Sequence, residues 1–392
     1  MTRLFFMARL AIVLALSTVT FTVSSTLTQA WAAPAKDGLS IGGYFTQSLN
    51  LVDIDDRDGR NFEDEVLTQN GEIHFKARKN MKSGAVLEAH VQLEAASEDD
   101  QIDEHYISVS ADWGRLLIGA ENGVGHLMQV RAPSFVPGLK MYDNSLTDES
   151  LEDAFNLMFD ADLDDDMVPK ILNDAHMSTK LEHISGDANK LSFITPKVGG
   201  LQLGVSFTPN NRDRGGSAEN LAAVERAAEM QEDIIEVAMS YSGRLGGVKY
   251  KFGYSDVEGD SLSGDNPESQ SAGLRIAWAD YVIGLNQSTY NDLDTLPGNA
   301  YGEGEIETQN FGFRKGSSKA QWGIGFTQSE HSDSNGVRVD YEEIMIGGGR
   351  KLTEGVRLGY YYSQSEVSRP NETGDARSGE ISSLGMTIDL RF

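Results

Sequence analysis

The chain has no cysteine among its 392 residues and only 33 basic side chains against 60 acidic ones, for a formal net charge of -27. Without thiols there is no disulfide scaffold, no cysteine-held zinc and no thiol nucleophile. With so few cations the chain is a poor match for nucleic acid, whose phosphates demand a basic surface. No stretch supplies the roughly 20 apolar residues of an ordinary membrane helix. Phosphate-binding loops are missing too: no G-x-x-x-x-G-K-[ST] run occurs, and Gly119, Gly123 and Gly125 lack dinucleotide-binding spacing. The 7 histidines sit in no H-E-x-x-H context and no G-x-S-x-G is present, so an enzyme is not expected. Length alone suggests two or three soluble domains of roughly 150 residues each, but the pattern along the chain points elsewhere.

The first residues read as a secretory signal. Arg3 and Arg9 flank a charged start, the run from Leu10 to Val23 is apolar or small and free of charge, and Ala30-Trp31-Ala32 offers small residues where a signal peptidase reads. Removal of residues 1–32 is expected to leave 33–392 as an exported protein, more acidic still.

From Leu39 onward apolar and polar side chains alternate in segments of about 8 to 14 residues, as strands with two different faces do. In the last segment Leu384, Met386, Ile388, Leu390 and Phe392 share one face, while Ser383, Gly385, Thr387, Asp389 and Arg391 share the other. The same reading predicts sixteen strands, at 39–52, 65–80, 84–95, 102–111, 115–121, 188–196, 200–208, 232–242, 247–257, 269–279, 281–290, 305–315, 319–330, 340–350, 355–367 and 380–392. Long connections between them alternate with tight ones such as Asp112-Trp113-Gly114 and Pro196-Lys197-Val198-Gly199. An even strand count with sorted loops is the signature of a transmembrane barrel, whose turns are short on one membrane side and long on the other. In hydrocarbon every backbone group must pair internally, so the sheet closes on itself, and lipid takes the place of a core. A polar lumen then reconciles a mean hydropathy of -0.35 with a membrane protein. The predicted fold class is all-β, a 16-stranded transmembrane antiparallel β-barrel occupying 33–392.

Several segments resemble those of bacterial outer-membrane porins, in particular the alphaproteobacterial type. They are Ile41-Gly42-Gly43-Tyr44-Phe45, Gly71-Glu72-Ile73-His74-Phe75-Lys76-Ala77, Ile102 to Ser110 running into Trp113 to Gly119, the hairpin from Lys190 to Phe207, and the terminal Phe392. The resemblance covers most of the mature chain. It implies the outer membrane of a Gram-negative bacterium, a homotrimer, contact with outer-membrane lipid and lipopolysaccharide, and a third extracellular loop folded inward as a constriction. One departure stands out: after Ile118-Gly119 such porins commonly carry Arg, and this chain has Ala120.

Strand parity places a basic set on the inner face: Lys76, Arg78, Arg115, Lys249, Lys251, Arg275, Arg314 and Arg357. Glu72, His74, Glu88, His90, Glu94, Glu104 and Glu236 share that face, because charged side chains facing lipid are costly and must turn to water. The connection 122–187 follows the fifth strand, as the porin constriction loop does, and carries Asp143, Asp148, Glu149, Glu152, Asp153, Asp160 and Asp162. Thr147 to Met158 within it, and Ser217 to Glu232 in a later loop, read as short helices. Carboxylates set against the cationic wall would sort charged solutes, and the acid excess predicts mild cation preference in a channel passing small hydrophilic solutes and ions. An alternative is a substrate-selective channel binding a particular anion or sugar on the Lys and Arg ladder. No cofactor is expected, although Asp160, Asp162, Asp164 and Asp166 leave open a loose Ca²⁺ site. They depart from an EF-hand at the sixth position, Asp165, and the twelfth, Ile171.

Overall fold

The computed structural model describes residues 36–56, 61–95, 102–140, 179–181, 184–211, 231–261, 266–291, 304–317, 319–333, 338–369 and 377–392. The signal segment 1–32 and the acidic stretch from Asp143 to Asp166 lie outside them. Sixteen strands follow in order: β1 (Gly38–Asp56), β2 (Asn61–Asn80), β3 (Val86–Glu94), β4 (Ile102–Ala111), β5 (Gly114–Ala120), β6 (Asn189–Ile194), β7 (Leu201–Asn210), β8 (Gln231–Leu245), β9 (Val248–Ser261), β10 (Glu268–Trp278), β11 (Tyr281–Asn291), β12 (Gly304–Gly316), β13 (Ala320–Asp333), β14 (Arg338–Thr353), β15 (Val356–Arg369) and β16 (Arg377–Arg391). A single helical turn, α1 (Val124–Leu127), follows β5. Each strand pairs antiparallel with its chain neighbours, and β1 closes the barrel on β16. No helix among the described residues is long and apolar enough to cross a membrane.

Closure joins the chain ends. The Phe392 amide donates to the Gly43 carbonyl at 3.2 Å, and the Gly43 amide donates back to Phe392 at 3.1 Å. The outward Phe45 stacks on Phe392, the two rings 6.1 Å apart. Further aromatic contacts follow the short-turn end: Trp113 on Phe193, Tyr241 on Tyr250, and the series Trp278, Tyr281, Phe313, Trp322. Rings with an apolar body and a polar edge suit the membrane interface, so this end carries an aromatic girdle.

Every predicted strand is present, but several run further towards the long loops than the alternation of apolar residues did. β1 continues to Asp56, β9 to Ser261 and β14 starts at Arg338. A hydrocarbon crossing takes only about 9–11 residues. Beyond it the ladder needs backbone pairing and no apolar face, so the sequence signal fades while the sheet goes on. The helix expected over 217–232 is corrected at its end, where Gln231 and Glu232 pair with Ser261 and Asp260 in the β8–β9 ladder. The rest of it, and the helix expected over 147–158, fall outside the described residues.

Just before β1, the Asp37 carboxylate accepts from the Asn80 amide at 2.7 Å, the Asn80 side chain at 2.9 Å and Lys79 Nζ at 2.5 Å. These bonds, the backbone one foremost, pull its pKa from an ordinary 3.8 to about 2. A folded pKa below the unfolded one gives stability that is complete above about pH 4 and is lost as pH falls through about 2. Hydrogen exchange of the β1–β2 end is expected to speed up across that window in the native chain, and to lose that pH dependence in Asp37→Asn.

Candidate functional site

The lumen wall follows from the register. Opposite residues share a face, so the pairs Glu72↔Glu94, Lys76↔His90, Gln92↔Glu104, Ser206↔Glu236 and Lys251↔Arg275 fix which side chains point inward. All eight basic residues singled out from the sequence lie on this face. Leu49, Leu51, Ile118, Leu285, Phe311, Ile346 and Leu384 lie on the other and are exposed to the lipid side.

The basic residues do not form one uniform ladder. Arg78 pairs with Glu88 at 2.9 Å, and Arg357 bonds the fully buried Asp389 at 2.6 and 2.8 Å. Arg275 donates to the carbonyls of Arg131 and Ala132, the Nε bond to Arg131 being 3.0 Å, and Arg314 reaches the Ser134 carbonyl at 3.4 Å. Lys76, Arg115, Lys249 and Lys251 have no carboxylate within ion-pair distance among the described residues. All eight lie in the half of the barrel nearer the short turns.

Arg275 and Arg314 thus hold backbone of the connection after β5 rather than facing open water. Residues 123–140 lie along the inner wall. They begin where the Val124 amide donates to Ser206 Oγ at 2.9 Å and the Gly125 amide to Glu236 Oε2 at 2.8 Å. Gln321 Nε2 donates to the Phe135 carbonyl at 2.8 Å, and Thr387 Oγ1 to that of Pro137 at 2.5 Å. Chain returning towards β6 lies beside this segment, Gln129 Nε2 donating to the Thr179 carbonyl at 2.6 Å and Ser185 Oγ to Glu236 Oε1 at 2.6 Å.

What lets an extended segment lie so close is glycine on the facing strands. A Cβ at Gly253 would stand 2.7 Å from Val130 Cγ2, one at Gly284 or Gly312 2.9 Å from Pro133 Cδ, and one at Gly347 2.7 Å from Val136 Cγ2. Real Cβ atoms tolerate no such distance, so the missing side chains form a groove around β9, β10, β11, β12 and β14. Phe135, Val136 and Leu139 then bury themselves against Met345 and Tyr361, and Val124 and Met128 against Ala238. These apolar inward positions went unread, because alternation alone assigns the whole inner face to polar residues. The sequence signal for them is an apolar run inside a supposed loop, Val130 to Leu139, matched by glycines at inward parity.

Between this segment and strands β1, β2, β12, β13, β15 and β16 lies a cavity of about 700 Å³, lined by Lys76, Lys140, Arg314, Arg357, Arg391 and Glu72, among others. Among its charged lining residues cations outnumber the carboxylates Glu72 and Asp389. The acidic candidates Asp143, Asp148, Glu149, Glu152, Asp153, Asp160 and Asp162, with Asp164 and Asp166 of the calcium reading, lie outside the described residues.

The architecture is shared with solved outer-membrane proteins. OmpF of Salmonella typhi, solved with daunomycin, superposes with a TM-score of 0.54 at 12% identity, covering 91% of this chain and 98% of that one. The anion-selective porin of Comamonas acidovorans gives 0.52 at 10% identity, over 91% and 100%. A loop-deleted OmpT of Vibrio cholerae gives 0.54 at 10%, over 91% and 100%. At these identities the likeness is one of fold. Comparison with curated proteins finds no match. A family model described as Gram-negative porin matches residues 15–370, nearly the whole chain, and with the closed barrel of sixteen strands it settles the assignment: the chain belongs to the Gram-negative porins, channels of the outer membrane.

Proposed function

We propose that small hydrophilic solutes and ions diffuse passively through this lumen, and that its short-turn half favours anions. The observation that carries the preference is the crowding of cations there. Lys249 and Lys251 have no carboxylate partner among the described residues, Arg275 stands opposite Lys251, and in the cavity beneath the inner segment basic side chains outnumber the carboxylates Glu72 and Asp389. Fixed charges at a narrow, low-dielectric passage weigh more on permeation than charges at its mouth. A second reading, the mild cation preference expected from the acid excess, draws its support from the carboxylates between Asp143 and Asp162.

Reversal potentials in a KCl gradient across a planar bilayer separate the two. The native channel is expected to prefer chloride, and Lys249→Glu with Lys251→Glu to move the reversal potential towards potassium. A cation-preferring native channel that the double substitution leaves unchanged would sink the anion preference. Saturable block by one anion or sugar would mark a substrate-selective channel in place of general diffusion. Three equal closing steps in the same recordings would report a homotrimer. Contact with lipopolysaccharide is supported by the outward acidic rim at the long-loop end, where Glu307 faces Glu330, Glu342 faces Glu366 and Glu366 faces Glu380. Like charges directly opposite destabilise a sheet, and divalent cations shared with lipid phosphates would relieve them.

A further inference from the structure

The geometry points to a divalent transition-metal site in the inner wall, formed by His90 of β3, Glu104 of β4 and Glu121, the residue that follows β5. The register brings them together. Gln92 stands opposite Glu104 and His90 opposite Tyr106, so His90 and Glu104 are diagonal neighbours on the inward face. The β4–β5 ladder ends with His105 opposite Ala120, which leaves Glu104 and Glu121 next to each other beyond it. One ligand atom from each of the three lies within 4.8 Å of the others, a separation that a single ion can bridge.

Two features set this group apart from an ordinary acidic patch. All three side chains are buried, with 6%, 9% and 6% of the surface of His90, Glu104 and Glu121 exposed. Neither ring nitrogen of His90 has a hydrogen-bond partner among the described residues, although both are buried. The ring is held by packing, 5.3 Å from His74 and edge-on to Tyr106 at 5.0 Å. A buried imidazole without a partner forfeits its hydrogen bonds unless something accepts its lone pair. The oxygens, by contrast, are oriented as ligand oxygens usually are: Asn122 Nδ2 donates to Glu104 Oε1 at 3.2 Å, and Tyr106 and Glu104 both hydrogen-bond Glu121. The nearby Lys190 ammonium donates to the carbonyls of Glu121 and Gly186, each at 2.5 Å.

One imidazole nitrogen with two carboxylates selects the metal class. Calcium and magnesium take oxygen ligands, whereas zinc, manganese, iron(II) and cobalt(II) accept this mixture and leave positions open for water or a lumen solute. Because Glu121 is where the chain leaves the wall to become the inner segment, a bound ion would tie the start of that segment to β3 and β4.

Cobalt(II) added to the detergent-purified full-length mature protein is the direct test, since its visible absorption reports nitrogen and oxygen coordination. One equivalent per chain is expected to bind, to be displaced by zinc, and to bind about 10-fold or more weakly in His90→Gln and in Glu121→Gln. Glu354→Gln, exposed in the turn between β14 and β15, is expected to bind as the native chain does. Circular dichroism checks that each variant keeps its sheet; if His90→Gln does not, Glu121→Gln, which alters no strand, decides alone. Unchanged affinity and spectrum in the folded variants, or no stoichiometric binding by the native chain, would overturn the site.

Discussion

Replacing Gly273 by Val is expected to push the inner segment off the barrel wall, raise single-channel conductance and make the channel noisy, while the barrel itself still forms. A Cβ at this position would overlap the carbonyl of Val130 and approach its carbon to 2.8 Å. Backbone cannot rotate out of the way as a side chain can. Either the segment lifts or β10 shifts, and β10 is held on both edges, by β9 and β11 along its whole length. The segment is the weaker party. Overpacking of this kind costs about 1–3 kcal/mol, and lifting the segment also strains the Arg275 bonds to the carbonyls of Arg131 and Ala132. Gly247→Ala is the matched control, because a Cβ there meets nothing within 4 Å. Conductance and thermal unfolding recorded for both variants check the claim, and a Gly273→Val channel with native conductance would refute it.

Much of this barrel was legible in the sequence because lipid imposes a strict rule on it. Leu384, Met386, Ile388 and Leu390 must face outward, so the parity of β16 follows, and with it the inward Asp389 that holds Arg357. The same rule put Lys249, Lys251 and Arg275 on one face. It failed where the inner face is not wet. Tyr361, Met345 and Ala238 point inward yet are buried, because Phe135, Val136, Val124 and Met128 cover them. Parity says which way a side chain points and nothing of what stands there. Gly253, Gly284, Gly312 and Gly347 lie at inward parity. That they form a track for one segment emerges only when the strands are side by side. Likewise strand parity and charge make Arg275 and Arg314 cations of the pore wall, and a guanidinium serves equally well as a clamp on buried carbonyls. The group around Glu104 and Glu121 was readable only as separate inward acids, since β4 and the residue after β5 meet through register.

A second anchor of the inner segment is a side chain that parity places inward without giving it a task. Glu236 is fully buried and accepts hydrogen bonds from the Gly125 amide at 2.8 Å and from Ser185 Oγ at 2.6 Å. It therefore clasps both the outgoing and the returning chain to β8. Glu236→Ala leaves both donors buried without an acceptor, at about 1–3 kcal/mol for each, and opens a void beside Gly123, whose Cα the carboxylate now crowds. Glu236→Gln behaves differently. Its amide oxygen can still accept from the Gly125 N–H, which cannot turn away, and its NH₂ can donate to Ser185, whose hydroxyl can rotate to accept. The alanine variant is thus expected to lose thermal stability and to expose residues 123–140 to added protease, and the glutamine variant to stay close to native. If the two variants behave alike, hydrogen bonding by Glu236 is not what holds the segment; a clear gap between them assigns the anchoring to the Glu236 side chain, through those two bonds and the space it fills.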